Sequence, residues 1–483
     1  MKKYVSVKKN FFWSSILTVA GYIFPLLTFP YVTRVLGAES FGSYQFADSV
    51  ISYFCILSLL GIGNIGIREI SKVKENREKM SEVFSGLLLL NLSTAFLSII
   101  LLIILIYVLP VFSSHSPLLF IGISRILCGV LTIEWLFKGV EDFKYITVRA
   151  ITIRIIYVIS VFVFVRTPND YVTYFLLTSL ITVVNAFINI FYSRHFVSFS
   201  FKRIIIKPFI YPFITLGLFQ ILTAIYSSLN PVYLGFVGGD VQVGYYTTAV
   251  KIHHVILSLY TAFTGVMLPR MSALLSQNKI DDFRIMINKS FSFLMCFSFP
   301  LMVYSLRYAP EIISVLAGNS YEAAIPCLRI VLPLIFVIGY EQILVIQILV
   351  PLRKDKAILT NSIIGALVCI ISNLILVPSL FCNGSALVWL FSELFVMLSA
   401  QYFVYRYISI AFPFRLFLQN ILYSIPILII LYFSINMNIN KFYNLCIGAL
   451  LVSSYYYFIY VHVLKMPMVI EIIESIKNKI YHV

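Results

Sequence analysis

The sequence has few charged residues and lacks the motifs of nucleotide-driven machines. Asp, Glu, Lys and Arg together make up 12% of the chain, whereas 60% of its residues are hydrophobic. A soluble domain carries roughly twice that charged fraction, so the composition excludes a soluble globular protein. The absence of a GxxxxGK[ST] motif argues against an ATP-driven pump. Alternating polar and apolar strand patterns are also absent, which excludes a transmembrane β-barrel.

The seven cysteines are dispersed, and most of them lie inside apolar runs. They form no CxxC pair and no Cys/His cluster, so the pattern indicates neither a disulfide framework nor a metal site. We therefore expect no cofactor. The basic start of the chain, with Lys2, Lys3, Lys8 and Lys9, continues into an apolar run without an A-x-A-like site. This pattern predicts that no cleavable signal peptide is present.

Apolar runs of about 20 residues recur along the chain, each long enough to cross a ~30 Å hydrocarbon layer as a helix. The 32 Tyr residues suit the aromatic belts at the two membrane surfaces. These runs predict an all-α polytopic membrane protein with about fourteen transmembrane helices. The predicted spans are residues 11–33, 42–66, 82–109, 117–138, 146–165, 171–192, 209–233, 244–269, 288–306, 324–350, 357–379, 384–404, 416–435 and 442–464.

Basic residues are distributed unevenly between the predicted loops. Of the 36 Lys and Arg residues, 28 lie in the loops and termini on the side of the N-terminus. Positive charge accumulates on the cytoplasmic side of membrane proteins. The pattern predicts a multi-pass protein of the bacterial inner membrane with both termini in the cytoplasm. It also accounts for the net charge of +16 without a nucleic-acid partner.

A degraded copy of residues 30–50 returns from residue 231 onwards. Each copy reads as an apolar helix, a short Gly/acid turn, and G-x-Y-x-x-A at the head of another apolar helix. Gly suits the tight turn, and small residues at the helix head would let a neighbour approach closely. Chance similarity is the alternative to duplication, which the pattern favours. The predicted alignment pairs Pro30 with Pro231, Gly37 with Gly238 and, after one inserted residue, Gly42 with Gly244, Tyr44 with Tyr246 and Ala47 with Ala249.

The repeat and the spans together predict two pseudo-symmetric six-helix bundles followed by two C-terminal helices. The predicted limits are 1–205 for the N-terminal bundle, 206–405 for the C-terminal bundle, 406–465 for the two additional transmembrane helices and 466–483 for a cytoplasmic tail. Apolar residues at helical spacing in that tail indicate either a helix lying in the membrane interface or a frayed end. Because the two bundles would already form one closed unit, we expect a monomer.

Charged residues inside the predicted spans are the candidate functional residues, because an ionised side chain there costs ~3 kcal/mol or more. Asp48 and Lys251 lie at similar depths in helices related by the repeat. Lys251 is either a contact for an anionic substrate or one half of a salt bridge that joins the two halves. Asp48 is a candidate for ion coupling or gating.

The first half of the chain contains three further basic candidates. Arg34 ends the first span on the side with few positive charges, and it either serves function or extends to water. Arg125 and Arg154 lie deeper, and in a hydrated cavity they would hold phosphate. Glu134, four residues before Lys138, indicates a local ion pair and is also a gating candidate.

Glu341 is the best-placed carboxylate in the second half of the chain. It lies mid-way along the predicted span 324–350, where an ionised side chain is costly. The residue is therefore either a proton- or sodium-coupling site or a protonated, hydrogen-bonded part of the core.

Four stretches carry a resemblance to a known family. They are PYVTRVLGAESFGSY at 30–44, GIGNIGIREI at 61–70, VGYYTTAVKI at 243–252 and MLPRMS at 267–272. Up to about residue 405 the chain resembles the Wzx-type polysaccharide flippases of the multidrug/oligosaccharidyl-lipid/polysaccharide (MOP) superfamily. The resemblance implies two six-helix bundles arranged as a V. The common form of the family has twelve spans, so the last two predicted spans depart from it.

The resemblance implies a transporter rather than an enzyme. It implies flipping of undecaprenyl-diphosphate-linked O-antigen or related oligosaccharide units by alternating access, with proton or sodium coupling. A polymerase and a chain-length regulator of the same pathway are the implied protein partners. The alternatives are a cation-coupled multidrug antiporter of the same superfamily and a membrane-embedded polysaccharide polymerase or glycosyltransferase. In the flippase, the head group would be bound by Arg34, Arg125, Arg154 and Lys251, with Asp48, Glu134 and Glu341 in coupling or gating.

Overall fold

The computed structural model describes residues 7–198, 206–434 and 441–466. Within these ranges the regular structure is helical and no β-strand occurs, which confirms the predicted all-α fold. The same ranges contain 11 helical stretches long and apolar enough to cross a membrane, as expected of a multi-pass membrane protein. The predicted tail at 466–483 lies, except for Met466, outside the described residues.

Backbone contacts divide the chain into two compact units, Met1–Gly244 and Tyr245–Val483. The predicted bundle limits at residues 205 and 405 stay predictions. The first unit contains α1 (Val7–Leu59), α2 (Ile62–Val73), α3 (Arg77–Val108), α4 (Pro110–Ser114), α5 (Ser116–Leu131), α6 (Glu134–Gly139), α7 (Phe143–Phe164), α8 (Tyr171–Ser193), α9 (Lys207–Ser228) and the first part of α10 (Asn230–Ser276).

The second unit contains the remainder of α10 and the helices that follow it. A π-helical segment, Ile343–Leu349, continues one of these helices, and a second one, Ile459–Val463, lies near the end of the described chain. Single-turn 3-10 helices occur at Pro168–Asp170 in the first unit and Asn319–Tyr321 in the second. The α-helices are α11 (Ile280–Arg307), α12 (Ala309–Leu316), α13 (Ala324–Val331), α14 (Leu334–Gln342), α15 (Asp355–Ile408), α16 (Phe414–Ser434) and α17 (Lys441–Phe458).

Three helices of the described residues are too long for one crossing, and each is interrupted by non-helical backbone. The 53 residues of α1 would measure about 80 Å as a straight helix, against a ~30 Å hydrocarbon layer. Non-helical backbone interrupts α1 at Gly37, α10 at Gly239 and α15 at Phe381. These breaks lie in the apolar stretches Phe12–Val73, Lys207–Ser276 and Asp355–Ile408, each of which includes two consecutive predicted spans in whole or in large part. The breaks are therefore consistent with the predicted spans, although the total of fourteen stays a prediction.

The breaks in α1 and α10 have the same backbone conformation. Gly37 has φ 73° and ψ 176°, and Gly239 has φ 74° and ψ 179°, a region that is essentially restricted to glycine. The structural partner of Gly37 is thus Gly239, and the predicted pairing with Gly238 was wrong by one residue. The inserted residue lies before this glycine rather than after it, because Gly42 and Gly244 already have the same spacing from their breaks.

The two broken turns pack against each other reciprocally within the first unit. A side chain at Gly42 would collide with the carbonyl of Asp240, and one at Gly244 would collide with the carbonyl of Ala38. In the corrected alignment Gly42 corresponds to Gly244, and Ala38 corresponds to Asp240. The contact is therefore symmetric, as a local two-fold axis requires. The expected close approach of small residues is confirmed here.

Candidate functional site

Asp48 and Arg125 form an ion pair inside the first unit. Arg125, on α5, places Nη1 at 2.5 Å from Oδ1 of Asp48, which lies on α1 after the break at Gly37. The two side chains are 17% and 29% exposed, respectively. The Arg125 guanidinium also lies over the ring of Phe175 on α8, 5.7 Å from its centroid. Two of the predicted residues, assigned to different roles, are thus direct partners.

Three tyrosine residues lie near this ion pair. Tyr44 precedes Asp48 by one helical turn, and its ring lies 4.5 Å from that of Tyr174 on α8. The hydroxyl groups of Tyr44, Tyr174 and Tyr157 lie near one another. Such groups stabilise buried charge without adding a charge of their own. The sequence analysis missed these residues, although the four-residue spacing of Tyr44 and Asp48 was visible.

Glu134 lies in a second charged cluster, next to a break between α5 and α6. Its carboxylate is 2.6 Å from Nη2 of Arg149 and 3.5 Å from Nζ of Lys138. The predicted pairing with Lys138 is present, but the more buried partner is Arg149, with 4% of its side chain exposed. Arg149 also donates to the side chain of Asn189, which donates in turn to the carbonyl of Thr132. Through Arg149, this network holds the side chain of Glu134 against α7.

Arg34 and Arg154 lie in other environments. Arg154 approaches the carbonyl of Leu17 with Nη1 at 3.4 Å, so it contacts α1 before the break, whereas Arg125 contacts α1 after it. Arg34 is exposed, three residues before the break at Gly37. A single cationic cluster formed by the three arginines therefore stays a prediction.

A histidine that the sequence analysis did not consider connects the α4–α5 junction to the second broken turn. Nε2 of His115 lies 3.0 Å from both carboxylate oxygens of Asp240, and Nδ1 lies 2.8 Å from the carbonyl of Val111. Both ring nitrogens face acceptors, so the geometry favours the doubly protonated ring. Burial opposes that charge, but the hydrogen bonds to Asp240 and Val111 prevail and raise the pKa of His115 above its ordinary value of 6.5.

In the second unit Glu341 has a carboxyl partner. Glu341 on α14 and Glu393 on α15 are electrostatic neighbours. Nε1 of Trp389 donates to Glu393 at 3.1 Å. The ring of the fully buried His253 lies 5.0 Å from that of Trp389. Glu393 was not among the candidate residues, but it lies beside the predicted coupling residue.

Lys251 lies two residues before His253 on α10 and is partly buried. Its predicted role in binding an anionic head group stays a prediction, as do the roles assigned to Asp48, Glu134 and Glu341.

The profile of one protein family, described as "Polysaccharide biosynthesis protein", matches residues 7–275. The chain belongs to this family. The matched region covers more than half of the sequence and includes both broken turns, so the resemblance seen in the sequence motifs is confirmed. It also contains the Asp48–Arg125 pair, the Glu134 cluster and Lys251.

Two curated relatives are similar to most of this chain, and both have the name "Putative O-antigen transporter". The protein from Escherichia coli (strain K12) is 24% identical over 359 residues, which cover 73% of this chain and 85% of the relative. The protein from Shigella dysenteriae is 25% identical over 403 residues, covering 81% of this chain and 98% of the relative.

Solved structures of a lipid II flippase and a multidrug transporter share the fold of this chain. The lipid II flippase MurJ in an inward closed conformation has a TM-score of 0.74 and 17% identity, covering 94% of this chain and 99% of its own. An outward-facing multidrug transporter of the MATE family has a TM-score of 0.57 and 13% identity, covering 83% and 96%. At these identities the likeness concerns the fold alone.

Proposed function

We propose that this protein is a flippase for lipid-linked oligosaccharide units of polysaccharide biosynthesis, with undecaprenyl diphosphate as the lipid carrier. Membership of the polysaccharide biosynthesis family is the observation that carries the proposal. The names of the two curated relatives and the near-complete coverage of the MurJ fold support it. The proposed activity is transport by alternating access and not enzymatic catalysis.

The ion pair of the first unit suggests how an anionic head group is received. A diphosphate offers Arg125 more negative charge than the single carboxylate of Asp48, and guanidinium groups bind phosphate oxygens in bidentate fashion. In the proposed mechanism the head group displaces Asp48 from Arg125, and the pair re-forms after release. Without substrate, Asp48 keeps the arginine neutralised, because an unpaired charge in this environment costs several kcal/mol.

The carboxyl pair of the second unit is the proposed coupling site. A proton shared by Glu341 and Glu393 would be lost when the pair opens to water and regained when it closes. Exchange of this proton between the two sides of the membrane would couple transport to a gradient. Arg34, Arg154 and Lys251 are proposed as further contacts of the head group.

Complementation in the native polysaccharide cluster tests this function. Deletion of the gene should remove surface polysaccharide and leave complete lipid-linked units on the cytoplasmic side, and the wild-type gene should reverse both effects. Arg125→Ala should fail at normal expression, whereas Lys207→Ala, which removes an exposed base at the start of α9, should complement. Appearance of unpolymerised units outside the membrane in the deletion strain would mean that the protein acts after flipping.

A multidrug antiporter of the same superfamily is the second candidate, because the MATE transporter shares the fold. In that case the deletion strain would gain sensitivity to cationic drugs and keep its surface polysaccharide.

A further inference from the structure

A cavity of about 490 Å³ lies in the first unit between α7, α8 and the residues that lead into α7. It is separate from the Asp48–Arg125 pair, and on the predicted topology it lies at the cytoplasmic membrane surface. Its lining residues are Asp142, Lys144, Tyr145, Val148, Arg149, Thr152, Ile153, Ile188 and Tyr192.

Two basic residues of the lining have donors that no described residue uses. Lys144 is exposed, and among the described residues it has no ion pair or hydrogen bond. Arg149 is buried, with 6% of the residue exposed. Its terminal nitrogens bind Glu134 and Asn189, but its Nε has no hydrogen-bond partner. A buried guanidinium N–H without an acceptor is costly, so this site favours an added acceptor.

The acidic residue of the lining is already engaged. Oδ1 of Asp142 accepts a hydrogen bond from the backbone N–H of Tyr145 at 3.2 Å, and Oδ2 accepts one from the Tyr192 hydroxyl at 2.8 Å. The charges of the lining and of the residues paired with it sum to +1. The positive charges are those of Lys144, Arg149 and Lys138, and the negative charges are those of Asp142 and Glu134. The cavity therefore favours an anion.

The walls of the cavity suit a ligand with a polar head and an apolar body. The rings of Tyr145 and Tyr192 are stacked, with centroids 3.7 Å apart and planes at 16°, and they form a rigid aromatic wall. Val148 is 48% and Ile188 40% exposed, and in a membrane such side chains face acyl chains. Aromatic rings with polar ends are typical of the head-group level of a bilayer.

We propose that this cavity binds the phosphate head group of a membrane lipid. The phosphate oxygens accept hydrogen bonds from Lys144 and, after a small shift of the lining that opens access to this buried atom, from Nε of Arg149. The acyl chains lie along Val148 and Ile188. Basic pockets between membrane helices at the cytoplasmic surface bind lipid phosphates in this way. Two lipids share this chemistry, an anionic phospholipid of the bilayer and the undecaprenyl carrier as it arrives. The proposal of a lipid site in this cavity does not depend on the proposed transport function.

The test uses the full-length protein in lipid nanodiscs and measures retained lipid by native mass spectrometry. One arm adds phosphatidylglycerol to phosphatidylcholine discs, and the other adds undecaprenyl phosphate. Wild type should retain the added lipid in preference to phosphatidylcholine. Lys144→Gln should reduce retention about fivefold, as expected for one basic residue at a membrane surface, and Val148→Trp should reduce it by filling the cavity. Lys207→Gln, which changes a lysine outside the cavity, should behave as wild type.

The arms also identify the ligand. Loss of retention in one arm alone assigns the cavity to that lipid, and loss in both assigns it to the shared phosphate. Equal effects of Lys144→Gln and Lys207→Gln, or no preference of the wild type over phosphatidylcholine, would overturn the proposal. Because retention is measured without transport, failure of the complementation experiment would leave this result unaffected.

Discussion

The charges of Asp48 and Arg125 are mutually dependent, because each stands in a helix that should lie within the membrane. Removing one partner leaves the other without compensation, whereas removing both restores neutrality. We expect Asp48→Asn to lower the free energy of unfolding by ~2 kcal/mol, a reduced value because the pair is partly exposed. Asp48→Asn combined with Arg125→Gln should cost less than the sum of the single changes. Thermal unfolding in detergent compares the stabilities of the wild type, the two single variants and the double variant. Additive effects of the two changes would contradict direct pairing.

His115 makes stability dependent on pH. Its pKa is raised in the folded protein, so its contribution is complete below the ordinary value of 6.5 and is lost as the pH rises through the raised pKa. The contribution is roughly 2 kcal/mol, as for a hydrogen bond to a charged group. Wild type should therefore lose stability with rising pH in this range, and His115→Gln should show a flatter profile.

The control for this prediction is His195→Gln, because His195 is an exposed histidine of the same unit. Its pH profile of thermal unfolding should match that of the wild type. Identical slopes for wild type and His115→Gln would exclude the His115–Asp240 contact as the cause.

At the level of elements, the broken turns of α1 and α10 depend on backbone-to-backbone approach. A carbonyl oxygen cannot move away from a new side chain as the end of a flexible residue can. Gly42→Val and Gly244→Val should therefore each cost ~3 kcal/mol or more and reduce the yield of folded protein. Gly129→Ala on α5 is the matched control, because its added methyl group meets nothing within 4 Å.

The breaks themselves require glycine for a different reason. A side chain at Gly37 or Gly239 meets no neighbouring atom, but the positive φ is strained for other residues by about 1–3 kcal/mol. We expect Gly37→Ala and Gly239→Ala to lower the unfolding temperature by similar amounts, because the two dihedral pairs are nearly the same. A large effect at one position only would contradict the equivalence of the two turns.

At the level of the whole molecule, the proposed transport cycle needs a source of energy. If Glu341 and Glu393 exchange a proton, Glu341→Gln and Glu393→Gln should each abolish gradient-driven flipping while the protein remains folded. Transport of a lipid-linked oligosaccharide in vesicles with an imposed pH gradient measures this. Glu322→Gln, which changes an exposed acid of the second unit, should transport normally. Full gradient-dependent activity of both pair variants would exclude the carboxyl pair as the coupling site.

Sequence reasoning identified the helical membrane class, the repeat and several charged residues that the structure places in ion pairs. It did not identify their partners. Arg149 was not among the candidate residues, yet it is the buried partner of Glu134. His115 was not considered, because a single histidine near a loop forms no recognisable sequence motif. Glu393 and Glu341 lie in different predicted spans, and their proximity depends on how α14 packs against α15.

The sequence by itself determined what short-range physics controls. Hydrophobic runs of membrane length must become helices, since the bilayer offers no partners for free backbone groups, and a repeated Gly/acid turn must recur as a repeated local conformation. Only the tertiary structure decided which side chains share a site. The Asp48–Arg125, His115–Asp240 and Glu341–Glu393 contacts join residues far apart in the chain, and such contacts depend on helix packing rather than on local periodicity. The one-residue shift of the repeat to Gly37 and Gly239 became visible for the same reason, because a dihedral angle is a property of the folded backbone.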